Sequence, residues 1–229
     1  MFTTRGGKRK RAGRPRKGFR ASEKHETRPP LRAREPVHVI LRVERELGGL
    51  RRGRAYQAFR RALQTALKRL DFRVVQISLQ REHVHLVVEA NDERALAKGM
   101  QGLQIAAARY LNAVVWHERG VRRKGRVFVD RYHARILRTP TEVRNVLNYV
   151  MNNWRHHHED EGFESQFWDV DYLSSAPSFP HWREGAPALP PWYERLPTSL
   201  PDSWLLRVGW MRAGELSWRA VPGSRCDEG

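Results

Sequence analysis

Two histidines separated by one residue, His83 and His85, lie within a β-rich stretch of the sequence at residues 74–89. Side chains two residues apart on a β-strand point to the same face, so both imidazoles would enter one space, as joint binding of a metal ion requires. Further along, Tyr149 and Asn153 are four residues apart and are therefore neighbours on one face of a helix. If that helix packs over the strand, a metal ion, a third ligand and a hydroxyl nucleophile meet at one point. Such a site could cleave a phosphodiester through a covalent tyrosyl intermediate.

Each of these residues also has a purely structural interpretation. Two histidines on a β-rich segment can form a partly buried pair with no metal, and Tyr149 could pack in the core beside Val146 and Val150. Tyr110 and Tyr132 are further tyrosines, which we expect to pack in the core or at its rim. The order of the surrounding elements favours the functional interpretation.

The hydrophobic pattern predicts four strands and three helices. Alternation and β-branched residues indicate strands, whereas apolar residues three and four apart indicate helices. In chain order, we predict a strand at 36–43, a helix at 54–70, a hairpin of strands at 72–79 and 83–89, a helix at 92–117, a strand at 127–137, and a last helix that Thr139 caps and Pro140 begins.

This order is that of the ferredoxin-like, split βαβ fold, an α+β plan with a β-α-β-β-α-β antiparallel sheet, followed here by an extra C-terminal helix. The third strand of that plan lies next to the first, which places His38 beside the pair of His83 and His85. We expect His38 to support the site rather than to bind the metal.

With these motifs in this order, residues 36–158 resemble the single-tyrosine HUH transposases, specifically the REP-associated tyrosine transposases related to the insertion-sequence-200 enzymes. The resemblance rests on His83-Val84-His85, on the strand ending at residue 137, and on the helix segment from Tyr149 to Asn153. Two positions depart from the family pattern. Glu82 stands where relatives often have Asn, and Trp154 where they often have Pro.

The resemblance implies an enzyme, a metal-dependent transposase that cleaves and rejoins single-stranded or hairpin DNA. Tyr149 would be the catalytic nucleophile, forming a 5′-phosphotyrosine and freeing a 3′ hydroxyl. His83, His85 and Asn153 would bind Mg²⁺ or Mn²⁺, which polarises the scissile phosphate. A DNA-hairpin-binding protein that has lost transposition, acting in repeat maintenance or regulation, is the alternative, and a homodimer is left open.

The charge of the chain is that of a protein that binds a polyanion. The net charge is +18, and residues 1–35, predicted to be a disordered basic tail, hold 13 Lys and Arg against 3 Glu. Within the tail, Arg14, Arg16 and Lys17 resemble the core of a minor-groove AT-hook, although most such matches are unspecific basic arms. Arg122, Arg123 and Lys124 form a second basic cluster in a predicted loop. We expect both clusters to bind DNA, with an affinity that depends on salt.

Residues 159–229 form the third predicted region, which holds 6 of the 8 Trp and 8 of the 13 Pro. This composition favours an irregular, ordered wrap whose Trp residues either pack on the catalytic domain or stack on unpaired bases. The single Cys226 excludes an intramolecular disulfide, and no apolar run is long enough to span a membrane. We therefore expect a cytoplasmic protein associated with the nucleoid.

Other phosphoesterase classes fail on particular residues. Histidine-triad hydrolases need a third His two residues after His85, where this chain has Val87. Two-histidine phosphoesterases need paired His-x-Ser/Thr motifs, where this chain has His38-Val39-Ile40.

Overall fold

The computed structural model of the chain describes residues 29–162 and 164–223. The predicted elements form in the predicted order, followed by a short fourth helix. The strands are β1 (Val37–Arg42), β2 (Phe72–Leu79), β3 (His83–Ala90) and β4 (His133–Ile136), and the helices are α1 (Gly53–Ala66), α2 (Glu93–Arg119), α3 (Pro140–His156) and α4 (Trp204–Arg207).

The four strands form one antiparallel sheet in the order β2-β3-β1-β4. β3 therefore lies next to β1, as the ferredoxin-like plan predicts. Helices α1 and α2 pack on one face of the sheet, where they bury Val39, Leu86 and Phe59 in a common core. α3 packs on the other face, over β2 and β3, and builds a second core around Val87 and Val150.

A β-bulge allows β2 to contribute neighbouring residues to both cores. Val74 pairs with Val88 and Gln76 with Val87, so Val75 is an extra residue on its strand. Val74 is buried in the core under α1 and α2, whereas Val75 is buried in the core under α3. On the α2 side, Gly99 lies flat on the ring of Phe72, where an added Cβ would come within 2.2 Å of the ring.

Side-chain caps set the beginnings of the two long helices. The carboxylate of Asp92 accepts a hydrogen bond from the Ala95 backbone N–H at 2.7 Å and so starts α2. Thr139 and Glu142 form a reciprocal capping box at the start of α3, with Pro140 at its first position. A cap of this kind contributes about 1 kcal/mol. It also fixes the register of α3, and thereby the positions of Tyr149 and Asn153.

Two predicted elements are longer than the observed ones. The predicted strand at 127–137 is regular only over β4, because Val127 and Tyr132 are both buried in the same core although they are five residues apart. A continuous strand would point them to opposite faces, so the chain turns between them. The predicted helix at 54–70 ends at Ala66, and Leu70 is 89% exposed.

The C-terminal residues wrap around the side of the molecule that holds α3. Backbone hydrogen bonds join residues 173–175 to the outer edge of β2, and Ser199 donates to Val74 further along that edge. Trp182, Trp210 and Trp218 are buried in the core under α3, whereas Trp192 remains 66% exposed. Of the six C-terminal Trp side chains, three therefore pack in the core, Trp168 is half-buried against it, and Trp192 and Trp204 are exposed.

The described end of the predicted basic tail is part of the fold. Leu31 is buried in the core, and its backbone N–H lies 3.5 Å from a carboxylate oxygen of Glu93. Arg14, Arg16 and Lys17 lie outside the described residues. None of the helices that the structure describes has the length and apolar character needed to cross a lipid bilayer.

Candidate active site

Alternation along β1 and β3 determines which side chains face α3. Val84 and Leu86 enter the core under α1 and α2, so His83 and His85 project from the opposite face of β3. On β1, His38 and Arg42 project from that same face for the same reason. The strand register places Arg42 opposite His83 and Ile40 opposite His85.

The rings of His83 and His85 are close together, and His85, the more buried of the two, forms a hydrogen bond with His38. The ring centroids of His83 and His85 are 4.7 Å apart. His38 Nε2 lies 3.1 Å from His85 Nδ1, a hydrogen bond within the buried part of the site. His85 Nε2 is buried and has no hydrogen-bond partner among the residues that the structure describes. Because Nδ1 of His85 is hydrogen-bonded to His38, Nε2 is the ring nitrogen that could bind a ligand.

α3 brings the nucleophile candidate against this cluster. The ring centroid of Tyr149 lies 5.1 Å from that of His85 and 6.1 Å from that of His38. Tyr149 is partly exposed, so its hydroxyl is not sealed within the protein. The other tyrosines are placed elsewhere, because Tyr132 is buried in the core under α1 and α2, and Tyr110 packs against that core.

Asn153, one turn after Tyr149, is fully buried. Neither its Oδ1 nor its Nδ2 has a hydrogen-bond partner in the described part of the chain. A buried amide without partners costs about 1–3 kcal/mol, so a fold retains one at a cost in stability. That cost is expected where the amide oxygen serves as a ligand.

Burial keeps the histidines of the site neutral. It lowers the pKa of His38 and that of His83 to about 4, and the pKa of His85 to about 2. Neighbouring histidines add to the effect, His133 on His38 and His157 on His83. Burial also raises the pKa of the Tyr149 phenol. The imidazoles are thus in the form that binds metal ions, and the tyrosine is protonated at neutral pH.

The donor set fits a divalent cation. Neutral imidazole is a common ligand of divalent metal ions, and an amide oxygen is a ligand that Mg²⁺ and Mn²⁺ accept. Within residues 29–162 and 164–223, no three His, Cys, Asp or Glu side chains are placed to hold a metal ion together. A metal site on His83 and His85 would therefore need a third protein ligand of another residue type, and Asn153 is the candidate that the sequence predicts.

His157 is a neighbour of the site whose position was not predicted from the sequence. Its ring centroid lies 5.7 Å from that of His83, at the end of α3. In the sequence, the run from His156 to His158 indicates a polar helix end that could contact phosphate. The spacing along the chain could have identified His157 as a neighbour of the site, because Tyr149, Asn153 and His157 are four residues apart in turn and so share one helix face.

The two departures from the family pattern have local partners. Glu82 forms an ion pair with Arg45 at 3.1 Å, close to the surface. Trp154 is fully buried, with Trp168 at 6.2 Å between ring centroids and the Arg155 guanidinium 4.6 Å from its own ring centroid. Neither residue takes the place of a candidate ligand.

A buried ion pair attaches the C-terminal residues to the end of the sheet beside the site. Two nitrogens of Arg51 each lie 3.0 Å from an oxygen of Asp171, and a third contact joins Arg51 to Glu159 at 3.4 Å. Arg51 also donates to the Leu79 carbonyl at 3.0 Å. Paired guanidinium and carboxylate groups fix distance and orientation together, so this contact positions Asp171 and Glu159 against the end of β2.

The predicted basic loop is exposed only in part. The side chain of Arg123 is 8% exposed, lies 3.6 Å from Glu46 and donates to the Gly125 carbonyl. Arg122 lies over the ring of Trp116 at 5.0 Å, and Lys124 is exposed. The loop therefore offers Arg122 and Lys124 to a ligand, while Arg123 holds the loop in place.

Comparisons with known proteins give a family match and several similar solved structures. A family model described as "Transposase IS200 like" matches residues 35–153, more than half of the 229 residues. No curated protein matches the chain significantly in sequence. Among solved structures, the chain is similar to a REP-associated tyrosine transposase bound to a REP hairpin, at 14% identity and a TM-score of 0.43, over 59% of this chain and 74% of that one. It is also similar to a candidate transposase from Deinococcus radiodurans, at 13% identity and a TM-score of 0.37, over 62% of this chain and 98% of that one.

Proposed function

Because the chain belongs to the family of IS200-like transposases, we propose that it cleaves and rejoins single-stranded DNA through a covalent bond to Tyr149. The family match confirms the resemblance predicted from the sequence. The observation that carries the proposal is the contact of Tyr149 with His85, on the face of the sheet where two neutral imidazoles and a buried amide without partners are available.

His83, His85 and Asn153 would hold the divalent cation, Mg²⁺ or Mn²⁺. The chemistry that such an ion supplies is polarisation of the scissile phosphate and stabilisation of the charge on its non-bridging oxygens. His38 would act through His85, because a hydrogen bond to one ring nitrogen fixes the tautomer and presents the other nitrogen to a ligand.

Tyr149 would attack the phosphorus atom in line with the leaving 3′ oxygen. The bond from the Tyr149 oxygen to phosphorus forms as the bond from phosphorus to the 3′ oxygen breaks. The phenol loses its proton, and the 3′ oxygen leaves as a hydroxyl with a proton gained. Because burial raises the pKa of Tyr149, the free phenol is a poor nucleophile at neutral pH and deprotonation must accompany the attack.

The phosphotyrosine retains the energy of the broken bond. A 3′ hydroxyl from another strand can therefore reverse the step and join a new partner to the 5′ phosphate, with no nucleoside triphosphate consumed. We propose as substrates single strands that fold into hairpins at palindromic repeats, as the resemblance to REP-associated enzymes implies. Such folding leaves unpaired nucleotides at the foot of the hairpin, where a phosphate is accessible to Tyr149.

Adduct formation tests this function. The full chain is incubated with Mn²⁺ and a hairpin oligonucleotide that carries a label at its 3′ end, and the products are separated under denaturing conditions. We expect a labelled adduct whose peptide, identified by mass spectrometry, contains Tyr149. The adduct should be absent in Tyr149→Phe and present in the control Tyr110→Phe.

Two results would contradict the proposal. An adduct that survives in Tyr149→Phe would assign the nucleophile to another residue. Hairpin binding without any adduct in the wild-type chain, with either metal, would favour a binding protein that has lost transposition.

A further inference from the structure

The sheet face that carries the candidate site is only half covered in the described part of the chain. α3 packs over β2 and β3. On the same face of β1, His38 is buried, Ile40 is partly exposed and Arg42 is exposed. On β4, both residues of that face, His133 and Arg135, are exposed. The uncovered half-sheet is thus formed by β1 and β4, and it borders Tyr149 through His38.

The strand register arranges this half-sheet in three rows. His83 and Arg42 form the first row. The second row holds His85, Ile40 and His133, and the third holds Val87, His38 and Arg135. Arg42 and Arg135 therefore stand on either side of the row that contains His85. They are separated by four residues along the strand direction, or roughly 13 Å.

Both arginines are available to a ligand. Arg42 makes no side-chain hydrogen bond or ion pair with any residue that the structure describes, and its charge is felt by His83. Arg135 forms an ion pair with Glu142 at 2.9 Å, but its side chain is 58% exposed. Exposed ion pairs of this kind contribute little, so a phosphate can compete with the carboxylate. The guanidinium fork of Arg matches the geometry of phosphate oxygens.

From this arrangement we propose that the DNA strand lies along the uncovered half-sheet of β1 and β4, with Arg42 and Arg135 binding phosphates on either side of the one that Tyr149 attacks. The inference rests on the proposed function for the identity of the ligand, single-stranded DNA. The track is two β-strands wide, about 10 Å, and is bounded by α3 on one side. Its charge and its width suit one strand, with Ile40 between the arginines offering an apolar contact to a sugar or base.

The test measures binding in the Tyr149→Phe background and without metal, so that cleavage plays no part. The affinity for a hairpin with a single-stranded flank is measured by fluorescence anisotropy over a range of salt concentrations. Arg42→Ala/Arg135→Ala is compared with Arg61→Ala/Arg109→Ala, which removes two exposed charges from α1 and α2 on the opposite side of the sheet.

We expect the first double variant to lower the affinity by about tenfold and to flatten the slope of log affinity against log salt by about 1.4, since each phosphate of a single strand that is no longer neutralised removes about 0.7. The control should change both quantities much less.

Equal losses in the two double variants, or no loss in the first, would overturn the proposed track. An equal loss of affinity for a perfect duplex would also overturn it, because the surface would then bind DNA without regard to strandedness. These outcomes are separate from the adduct assay. If the wild-type chain forms no adduct but Arg42→Ala/Arg135→Ala still loses affinity for the single strand, the proposed chemistry fails and the track stands.

Discussion

His38 Nε2 lies 3.1 Å from Nδ1 of His85, across the pairing of β1 with β3. This hydrogen bond orients the ring of His85 and leaves its Nε2 for a ligand. Removing a group that orients a metal ligand commonly costs 10–100-fold in metal affinity. We therefore expect His38→Ala to weaken Mn²⁺ binding, measured by calorimetry, by roughly that factor. His38→Asn, which can still form the hydrogen bond, should recover part of the affinity, and the control His117→Ala on α2 should not differ from wild type. Unchanged binding in His38→Ala would show that His85 is held without His38.

Substitution of Asn153 distinguishes a metal-binding role of this residue from a structural one. Its side-chain amide is buried without described partners, so Asn153→Leu should abolish Mn²⁺ binding but leave the free energy of unfolding in chelator unchanged or raised by about 1–3 kcal/mol. Asn152 provides the matched control, because its amide donates to Asn148 and to the Ser217 carbonyl. Asn152→Leu should destabilise the fold and retain metal binding. A large loss of stability in Asn153→Leu with metal affinity intact would show that Asn153 is structural.

The lowered histidine pKa values predict that stability falls in mild acid. The unfolded chain takes up protons at His38, His83 and His85 as the pH drops through about 6.5, whereas folded His38 and His83 stay neutral to about pH 4. Between these values the unfolded state binds more protons, so the free energy of unfolding decreases as the pH falls, by roughly 1.4 kcal/mol per pH unit for each group. Urea unfolding at a series of pH values, without metal, measures the slope. His38→Asn should reduce it by about one group, and an unchanged slope would mean that His38 titrates normally in the fold.

We expect the ion pair of Arg51 with Asp171 to contribute strongly to the free energy of unfolding. Asp171→Ala leaves the Arg51 guanidinium buried and without its main partner, which costs about 3–5 kcal/mol for a buried pair. Chemical denaturation provides the measurement. Asp202→Ala removes an exposed carboxylate paired with Arg73 and should cost less than about 1 kcal/mol. Similar losses in the two variants would show that burial of the pair does not matter.

We expect the basic N-terminal residues to supply affinity rather than chemistry. Deletion should stop before Pro29, because Leu31 is part of the core. Removal of residues 1–28 takes away 11 Lys and Arg and 2 Glu, and should flatten the salt dependence of hairpin binding by about 0.7 for each phosphate that the tail had neutralised. Cleavage of saturating hairpin should survive. A truncated chain that binds as before but does not cut would place the tail in the active assembly.

Local signals accounted for most of the elements. Thr139, Pro140 and Glu142 specify the start of α3 through the side chains of one turn, and the alternation around His83 and His85 specifies their shared face. The end of β4 was predictable, but its start was not, because only the packed core shows that Val127 and Tyr132 are buried together.

Interactions between residues distant in the chain could not be predicted from patterns. Arg51 and Asp171 are 120 residues apart, and neither belongs to a motif. The register of β4 against β1, which places Arg135 opposite His38, likewise depends on tertiary pairing. The contact of His157 with His83 is the exception, because the four-residue spacing of His157 from Asn153 was visible in the sequence and would have allowed its prediction.

The core under α3 also bears on what could fold independently. The family match ends at residue 153, yet more than half of that core consists of later residues, including Val170, Trp182 and Leu216. A fragment cut at the family boundary would expose the apolar side of the helix that carries Tyr149. The minimal autonomous unit of this family member is therefore larger than the region by which its family is recognised, and the later, irregular residues supply the scaffold that holds Tyr149 against the histidines of β1 and β3.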